Sequence, residues 1–309
     1  MGSSRFDARD YASYAAGTAH LDHTTKFTRS SIKTDADPRK SFDPKTIKVR
    51  ESVKSDLNPH PTPIIVGLDV TGSMGPVVDA MHRGLGTLFE EIIKRDPVSD
   101  PHVLAMAIGD MDYDRAPVQA TQFEADPVTI GKQIEELYLE RNGGGNSHES
   151  YLGPLYFALM RTKCDAFSEG RKGYLFTVGD EEPQVVLTKD QIQRWFGDQP
   201  KDDLSAGALI DRISSNWHYF HIIVAEGTHM VSYADRTRRA WRELLGQRAI
   251  ELSDHTKMSE VIISTIEVTE GRDRDTVAHS WSGDTSIVVH DAIKGLTPAG
   301  KPAAGPVAL

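Results

Sequence analysis

The chain of 309 residues reads as an α/β protein with a mainly parallel central sheet, one antiparallel edge strand and helices on both faces. Three observations predict this class. Over residues 61–268, short apolar runs alternate with longer segments of helical periodicity, the order that lays helices over parallel strands. The runs at 63–69 and 173–179 are almost continuously apolar rather than alternating, as expected of strands covered on both faces. The runs at 102–109 and 117–123 lie too close together to hold a helix between them, which makes the second an antiparallel neighbour at the sheet edge.

Taken in order, residues 1–60 are polar, rich in Ser, Thr, Asp, Lys and Arg, and keep no period. They read as an arm: either a disordered tail or a segment that wraps its own domain or a neighbouring subunit. The domain proper spans 61–268. Its first strand, 63–69, opens on proline and ends in Asp69. A helix over 76–95 follows, with Pro76 suited to the first turn after Gly75. Beyond the strand pair, Asp126 caps a helix over 127–140 that has Pro127 at its first position. Asn146 or Ser147 caps the next, expected over 148–162, which carries Leu152, Leu155, Tyr156 and Leu159 on its apolar stripe. Strand 173–179, helices 188–196 and 204–215, strand 217–225, helix 235–246 and a short strand near 248–252 come next. Ser253 or Asp254 caps a last helix over 256–268. Residues 269–309 turn polar and end in Pro, Gly and Ala, so they read as a tail, with one further strand expected at 285–290.

Composition narrows the function classes. A net charge of −10 argues against a general nucleic-acid footprint. The single cysteine, Cys164, has no partner for an internal disulfide, which fits a reducing cytoplasm. No apolar run reaches the roughly 18 residues of a membrane span. The opening Met1-Gly2-Ser3-Ser4-Arg5-Phe6 lacks the apolar core of a signal peptide and the hydroxyl residue that myristoylation wants at the sixth position. The expectation is a cytoplasmic protein with no nucleic-acid or membrane partner.

Chemistry concentrates at the strand ends. Strand 63–69 runs into Asp69-Val70-Thr71-Gly72-Ser73. Ligands of open α/β sheets bind at the carboxyl ends of the strands, so one carboxylate and two hydroxyls converge there from a single loop. That all-oxygen, low-charge set suits Mg²⁺ or Mn²⁺ and not a soft metal. A second stretch, Arg141-Asn142-Gly143-Gly144-Gly145-Asn146-Ser147-His148-Glu149, has three glycines that let backbone approach an ion. A third, Val178-Gly179-Asp180-Glu181-Glu182, is another buried strand ending in a carboxylate, with two more that read as solvated loop groups.

In this order the three stretches resemble the metal-ion-dependent adhesion site of the von Willebrand factor type A (VWA) family, over residues 61–268. The chain also looks like stand-alone VWA proteins of bacterial or phage type. The resemblance implies a Rossmann-like VWA fold. It also implies a metal held by Asp69, Thr71 and Ser73, by Asn146 or Ser147, and by Asp180. Asn146 stands where threonine is commonest in the family, and Ser147 is the nearest hydroxyl. A related subgroup has an acidic or amide residue there followed by Glu, which Glu149 matches. The implied function is divalent-metal-dependent protein–protein binding, without catalysis, as an adaptor or complex subunit. A cation with few direct carboxylates stays electrophilic and takes a Glu or Asp carboxylate from a partner. By family analogy that partner is an AAA+ ATPase or a larger complex. The alternative is an assembly protein whose terminal arms lace subunits into a homo-oligomer, with the metal only stabilising.

Other chemistries fit less well. A haloacid-dehalogenase-like phosphatase needs a second aspartate where Thr71 stands. Asp110-Met111-Asp112-Tyr113-Asp114 begins like a calcium loop, but Arg115 and Thr121 occupy the positions that need Gly and Glu. Asp110 then reads as part of an acidic turn, as a group behind the Asp69 site or as part of the binding rim. His148, His218, His221, His229 and His255 make no zinc-hydrolase motif, and no Gly-x-Ser-x-Gly occurs. Arg236-Thr237-Arg238-Arg239 reads as a solvated helix face.

Overall fold

Six strands form the central sheet of the protein: β1 (Thr62–Asp69), β2 (Pro101–Ile108), β3 (Val118–Ala120), β4 (Gly173–Gly179), β5 (Trp217–Val224) and β6 (Ala249–Leu252). The structure is a computed structural model and describes residues 9, 13, 16, 17, 41–74, 77, 88, 91, 92, 94–138 and 148–299. The sheet order is β6-β5-β4-β1-β2-β3. All pairings are parallel except β2 with β3 at the edge. This is the Rossmann-like α/β fold expected from the alternation of runs.

Every residue of β1 is buried, because the strand is covered on both sides. Side chains alternate across a strand, so Ile64, Val66 and Leu68 enter one core and Ile65 the other. The first core is closed by α1 (Pro127–Glu135) through Ile130 and Ile134. The second is closed by α2 (Leu152–Met160), α3 (Lys189–Phe196), α4 (Ala206–Ile213) and α5 (Met230–Leu245), through Leu155, Ile192, Leu209 and Trp241. Helix α6 (Met258–Thr269) returns to the first core and is buried along its whole length. Of the helix expected over 76–95, residues 77, 88, 91, 92, 94 and 95 are helical, and the others, Pro76 among them, lie outside the described residues.

Local signals set several boundaries as expected. Asp126 caps α1 by accepting from the amides of Val128 and Thr129. Asp254 caps the short turn His255–Lys257 that leads into α6.

Four expectations need correction. The helix expected over 148–162 begins only at Leu152, because His148–Glu149 pairs in parallel with Glu182–Pro183 instead. Helix α5 begins at Met230, five positions before the expected 235. The segment 285–290 is not a strand: it lies in the helix Asp284–Ile293 (α8), preceded by Arg274–His279 (α7). The tail reading of 269–309 fails for the described part, since Val277, Ala278, Val289 and Ile293 are buried in the first core. Tertiary packing there overrides the β propensity of Ile287, Val288 and Val289.

The arm also changes character within its span. Phe42 and Ile47 are buried, Arg50 donates to the Ala120 carbonyl at 3.0 Å, and Arg50–Ser52 pairs in parallel with Thr162–Cys164. This part of the arm wraps its own domain. Among the described residues no helix is long and apolar enough to cross a membrane.

Candidate metal centre

Strand β1 lies between β2 and β4, so the chain runs to one side of it first and to the other side later. This reversal opens a crevice between the carboxyl ends of β1 and β4. Asp69 is the last residue of β1, and Asp180 directly follows β4. Both are fully buried.

Asp69 is held from two sides. Its Oδ1 accepts from the Thr71 amide at 2.9 Å and from the Thr71 hydroxyl at 2.6 Å. Its Oδ2 accepts from the Tyr151 hydroxyl at 2.9 Å. Asp180 Oδ2 accepts from the His229 amide at 3.0 Å. His229 precedes the first residue of the 16-residue helix α5, so the partial positive charge of that terminus faces the Asp180 carboxylate.

Tyr151 ties the two strand ends together. The Glu181 amide donates to its hydroxyl at 3.4 Å. Its ring meets His221 and Trp241 edge-on, at centroid distances of 4.9 and 5.4 Å, and those two stack on each other at 3.5 Å. The Trp241 indole in turn donates to the Glu181 carbonyl at 2.9 Å. The ring fits because residue 179 is glycine: a Cβ there would overlap the Tyr151 hydroxyl. Gly179→Ala is therefore expected to cost roughly 1–3 kcal/mol of stability and to weaken any Mg²⁺-induced rise in melting temperature. A variant that melts and responds to Mg²⁺ like the wild type would show that the ring has room.

Four more carboxylates are buried nearby: Asp110, Asp114, Glu149 and Glu181. Backbone bonds lace their segments together. The Ser150 amide donates to the Gly109 carbonyl at 3.2 Å, and the Met111 amide donates to Ser150 Oγ at 2.8 Å. The ladder between His148–Glu149 and Glu182–Pro183 ties the third segment in. Among the described residues no lysine or arginine forms an ion pair with Asp69, Asp110, Glu149 or Glu181; Glu181 faces His229 Nδ1 at 3.9 Å. Glu182 is different: it binds Arg236 at 2.7 Å and faces His229 Nε2 at 3.4 Å.

Burial first, and then the Asp180 charge, push the Asp69 carboxyl up from the usual range, against the hydrogen bonds of Thr71 and Tyr151. Burial and the charges of Asp69, Glu181 and Asp110 push Glu149 far up. Glu181 is raised to about 8 by burial and by Asp69 and Asp180. Burial among these charges also raises Tyr151 well above its ordinary value, which keeps it a donor to Asp69. Carboxylates destabilised by their own neighbours favour a cation. The donor set is entirely oxygen, and Asp110 Oδ2, Glu149 Oε2 and Glu181 Oε2 are buried with no hydrogen-bond partner among the described residues. These features fit a hard divalent ion such as Mg²⁺ or Mn²⁺.

Of the residues expected at the site, Asp69, Thr71 and Asp180 come together in the crevice. Ser73 falls in the single 3₁₀ turn Gly72–Met74, with its side chain outside the described residues. Asn146 and Ser147 lie outside the described residues as well. Glu181, read as a solvated loop group, is buried instead, because the Trp241 and Tyr151 contacts draw its backbone inward. Tyr151 and His229 were not expected at the site. Gly179, directly before Asp180 at a buried strand end, is the sequence signal for a side chain packed against it.

No protein-family model matches this chain, and no curated protein matches it. Among solved structures it is similar to the pilus adhesin SpaC from Lactobacillus rhamnosus GG in its open conformation, with 10% identity and a TM-score of 0.45. The match covers 72% of this chain and 32% of the adhesin. A second structure of that adhesin matches over 71% of this chain and 32% of its own, at the same identity and TM-score. The chain thus spans about a third of the adhesin's length.

Proposed function

We propose that this chain is a VWA-type binding module that uses Mg²⁺ or Mn²⁺ to take a Glu or Asp carboxylate from a protein partner. The observation that carries this reading is the buried oxygen set at the crevice, with Asp69 facing Asp180 and no lysine or arginine paired to Asp69 among the described residues. Asp69, Asp180 and the Thr71 hydroxyl would hold the ion, with Ser73 and either Asn146 or Ser147 completing the set that the resemblance implies. A bound ion would supply an electrophilic position for an incoming carboxylate. Tyr151 keeps Asp69 oriented, and the amide end of α5 keeps Asp180 oriented.

The surroundings favour binding over a reaction. Of the nine exposed large apolar side chains among the described residues, five follow the carboxyl ends of β2, β4 and β5, the sheet edge that carries the site. They are Tyr113, Val185, Val186, Val231 and Tyr233, with Val231 85% and Tyr113 64% exposed. Exposed apolar groups on the segments that leave these strand ends offer a contact surface. The partner is then a protein with an acidic side chain flanked by apolar ones; an AAA+ ATPase is the class that family analogy offers. A tagged full-length chain should retain such a partner from native lysate in Mg²⁺ and lose it in EDTA. Val231→Glu should lose it even in Mg²⁺. Identical partners under all three conditions would overturn the reading.

A further inference from the structure

We propose that β6, the open edge of the central sheet, pairs with β6 of a second copy of this chain, antiparallel and about a two-fold axis. The inference does not rest on the metal reading above.

One hydrogen bond fixes the direction of the backbone at this edge. The Leu252 carbonyl accepts from the Ala225 amide at 3.0 Å, so Leu252 bonds toward β5, and the parallel register makes Ile250 do the same. Successive residues of a strand turn their main-chain groups to opposite sides. Ala249, Glu251 and Ser253 therefore turn theirs outward. The Gly246 carbonyl takes the Ala249 amide. The same three residues line a groove of about 480 Å³, walled by Arg242 and Gly246 at the end of α5 and by Ala292 and Gly295 at the end of α8. A Cβ built on Gly246 or Gly295 would meet nothing within 4 Å, so both walls are low. The opposite edge differs, because the chain covers β3 itself. There the Ala120 amide donates to the Phe42 carbonyl and Arg50 donates to the Ala120 carbonyl, both at 3.0 Å.

A bare strand edge is a template for another strand, and natural edges are commonly guarded by charge. Glu251 stands where such a guard would stand. Its carboxylate is already bound by Arg238 at 2.7 Å and faced by Arg242 at 3.6 Å, so the guard is neutralised. The charged residues lining the groove are Arg242, Lys294, Glu251 and Asp291, which cancel. The chain as a whole carries −10. Two such chains repel through most of their surface and least at a neutral edge. That balance selects a second copy as the occupant, since a two-fold axis presents the same edge to itself. With the axis at Glu251, each Glu251 amide donates to the other copy's Glu251 carbonyl. Each Ser253 amide donates to the other copy's Ala249 carbonyl. Main-chain bonds then supply the affinity, as in other strand additions.

The test is the mass of the full chain by sedimentation equilibrium over a wide range of concentration, with hydrogen exchange followed at the Glu251 and Ser253 amides. The expected result is a dimer at high concentration, with both amides slowed about tenfold or more as it forms. Gly295→Trp places its side chain in the open groove, so it should stay folded and stay monomeric. A monomer at every concentration would overturn the proposal. A dimer that leaves the two amides unprotected, or that persists in Gly295→Trp, would overturn it too, because another face then makes the contact. Both amides protected in a monomer would also overturn it, since the chain then covers its own edge. If Gly295→Trp fails to fold, the exchange of the wild-type amides decides.

Discussion

Asp69→Asn is expected to raise the melting temperature of the metal-free protein at pH 8 and to abolish the further rise that Mg²⁺ produces. At that pH the wild type holds the Asp69 carboxyl fully buried against the charge of Asp180. A neutral amide of the same shape removes that repulsion, while its oxygen can still accept from the Thr71 amide and hydroxyl. The loss is the Tyr151 hydrogen bond, worth about 1 kcal/mol. The net gain should be roughly 1–3 kcal/mol once screening and relaxation are allowed for, or about 2–4 °C for each kcal/mol in a domain of this size. A ligand present at 100 times its Kd adds about 2.7 kcal/mol to the wild type, and the variant should lose that increment. Differential scanning fluorimetry with EDTA or Mg²⁺ reads both effects. A variant that keeps the wild-type response to Mg²⁺ would remove Asp69 from the site.

The second large effect is on pH. In EDTA, stability should fall as pH rises from about 4, where unfolded carboxyls titrate, through the raised value of about 8 at Glu181. Between those limits the folded chain binds more protons than the unfolded one. Stability therefore declines with pH by up to about 1.4 kcal/mol per unit for each such group. The stabilising contribution is complete below the unfolded value and is lost as pH passes the folded one. Asp69 and Glu149 shift in the same direction and extend the decline. With Mg²⁺ present the ion takes the carboxylates as ligands and displaces their protons into solvent, so the curve should flatten and the Mg²⁺ increment should grow with pH. Denaturant titrations at pH 5, 7 and 9 test this. A flat curve in EDTA would mean that these carboxylates are compensated in the apo protein.

Some of this could be read directly from residue order. The run at 173–179 is the strand Gly173–Gly179, and the run at 63–69 is Thr62–Asp69. A strand buried on both faces writes its length as a continuous apolar stretch. The starts of α2 and α5 could not be read this way. The residues before α2 pair with a strand end 34 positions later, from His148 to Glu182. His229 and Met230 are drawn in at the head of α5, where Asp180 accepts from the His229 amide. The β-branched residues of 285–290 misled for a related reason: Val289 and Ile293 find their partners in α6 and the sheet, and helical spacing meets that surface.

Sequence alone determined the fold class and the placement of Asp69 and Asp180 at the carboxyl ends of two buried strands. Both follow from local pattern, since an apolar run that stops at a carboxylate puts that carboxylate at the strand's edge. Tertiary structure decided that these two ends flank the point where strand order reverses. It also decided that Tyr151 joins them and that Asp110, Glu149 and Glu181 crowd beside them without a lysine or arginine paired to any of the three among the described residues. Those groups come from segments tens of residues apart. Only the crossover connections of the sheet bring them to one edge, and no local period carries that information.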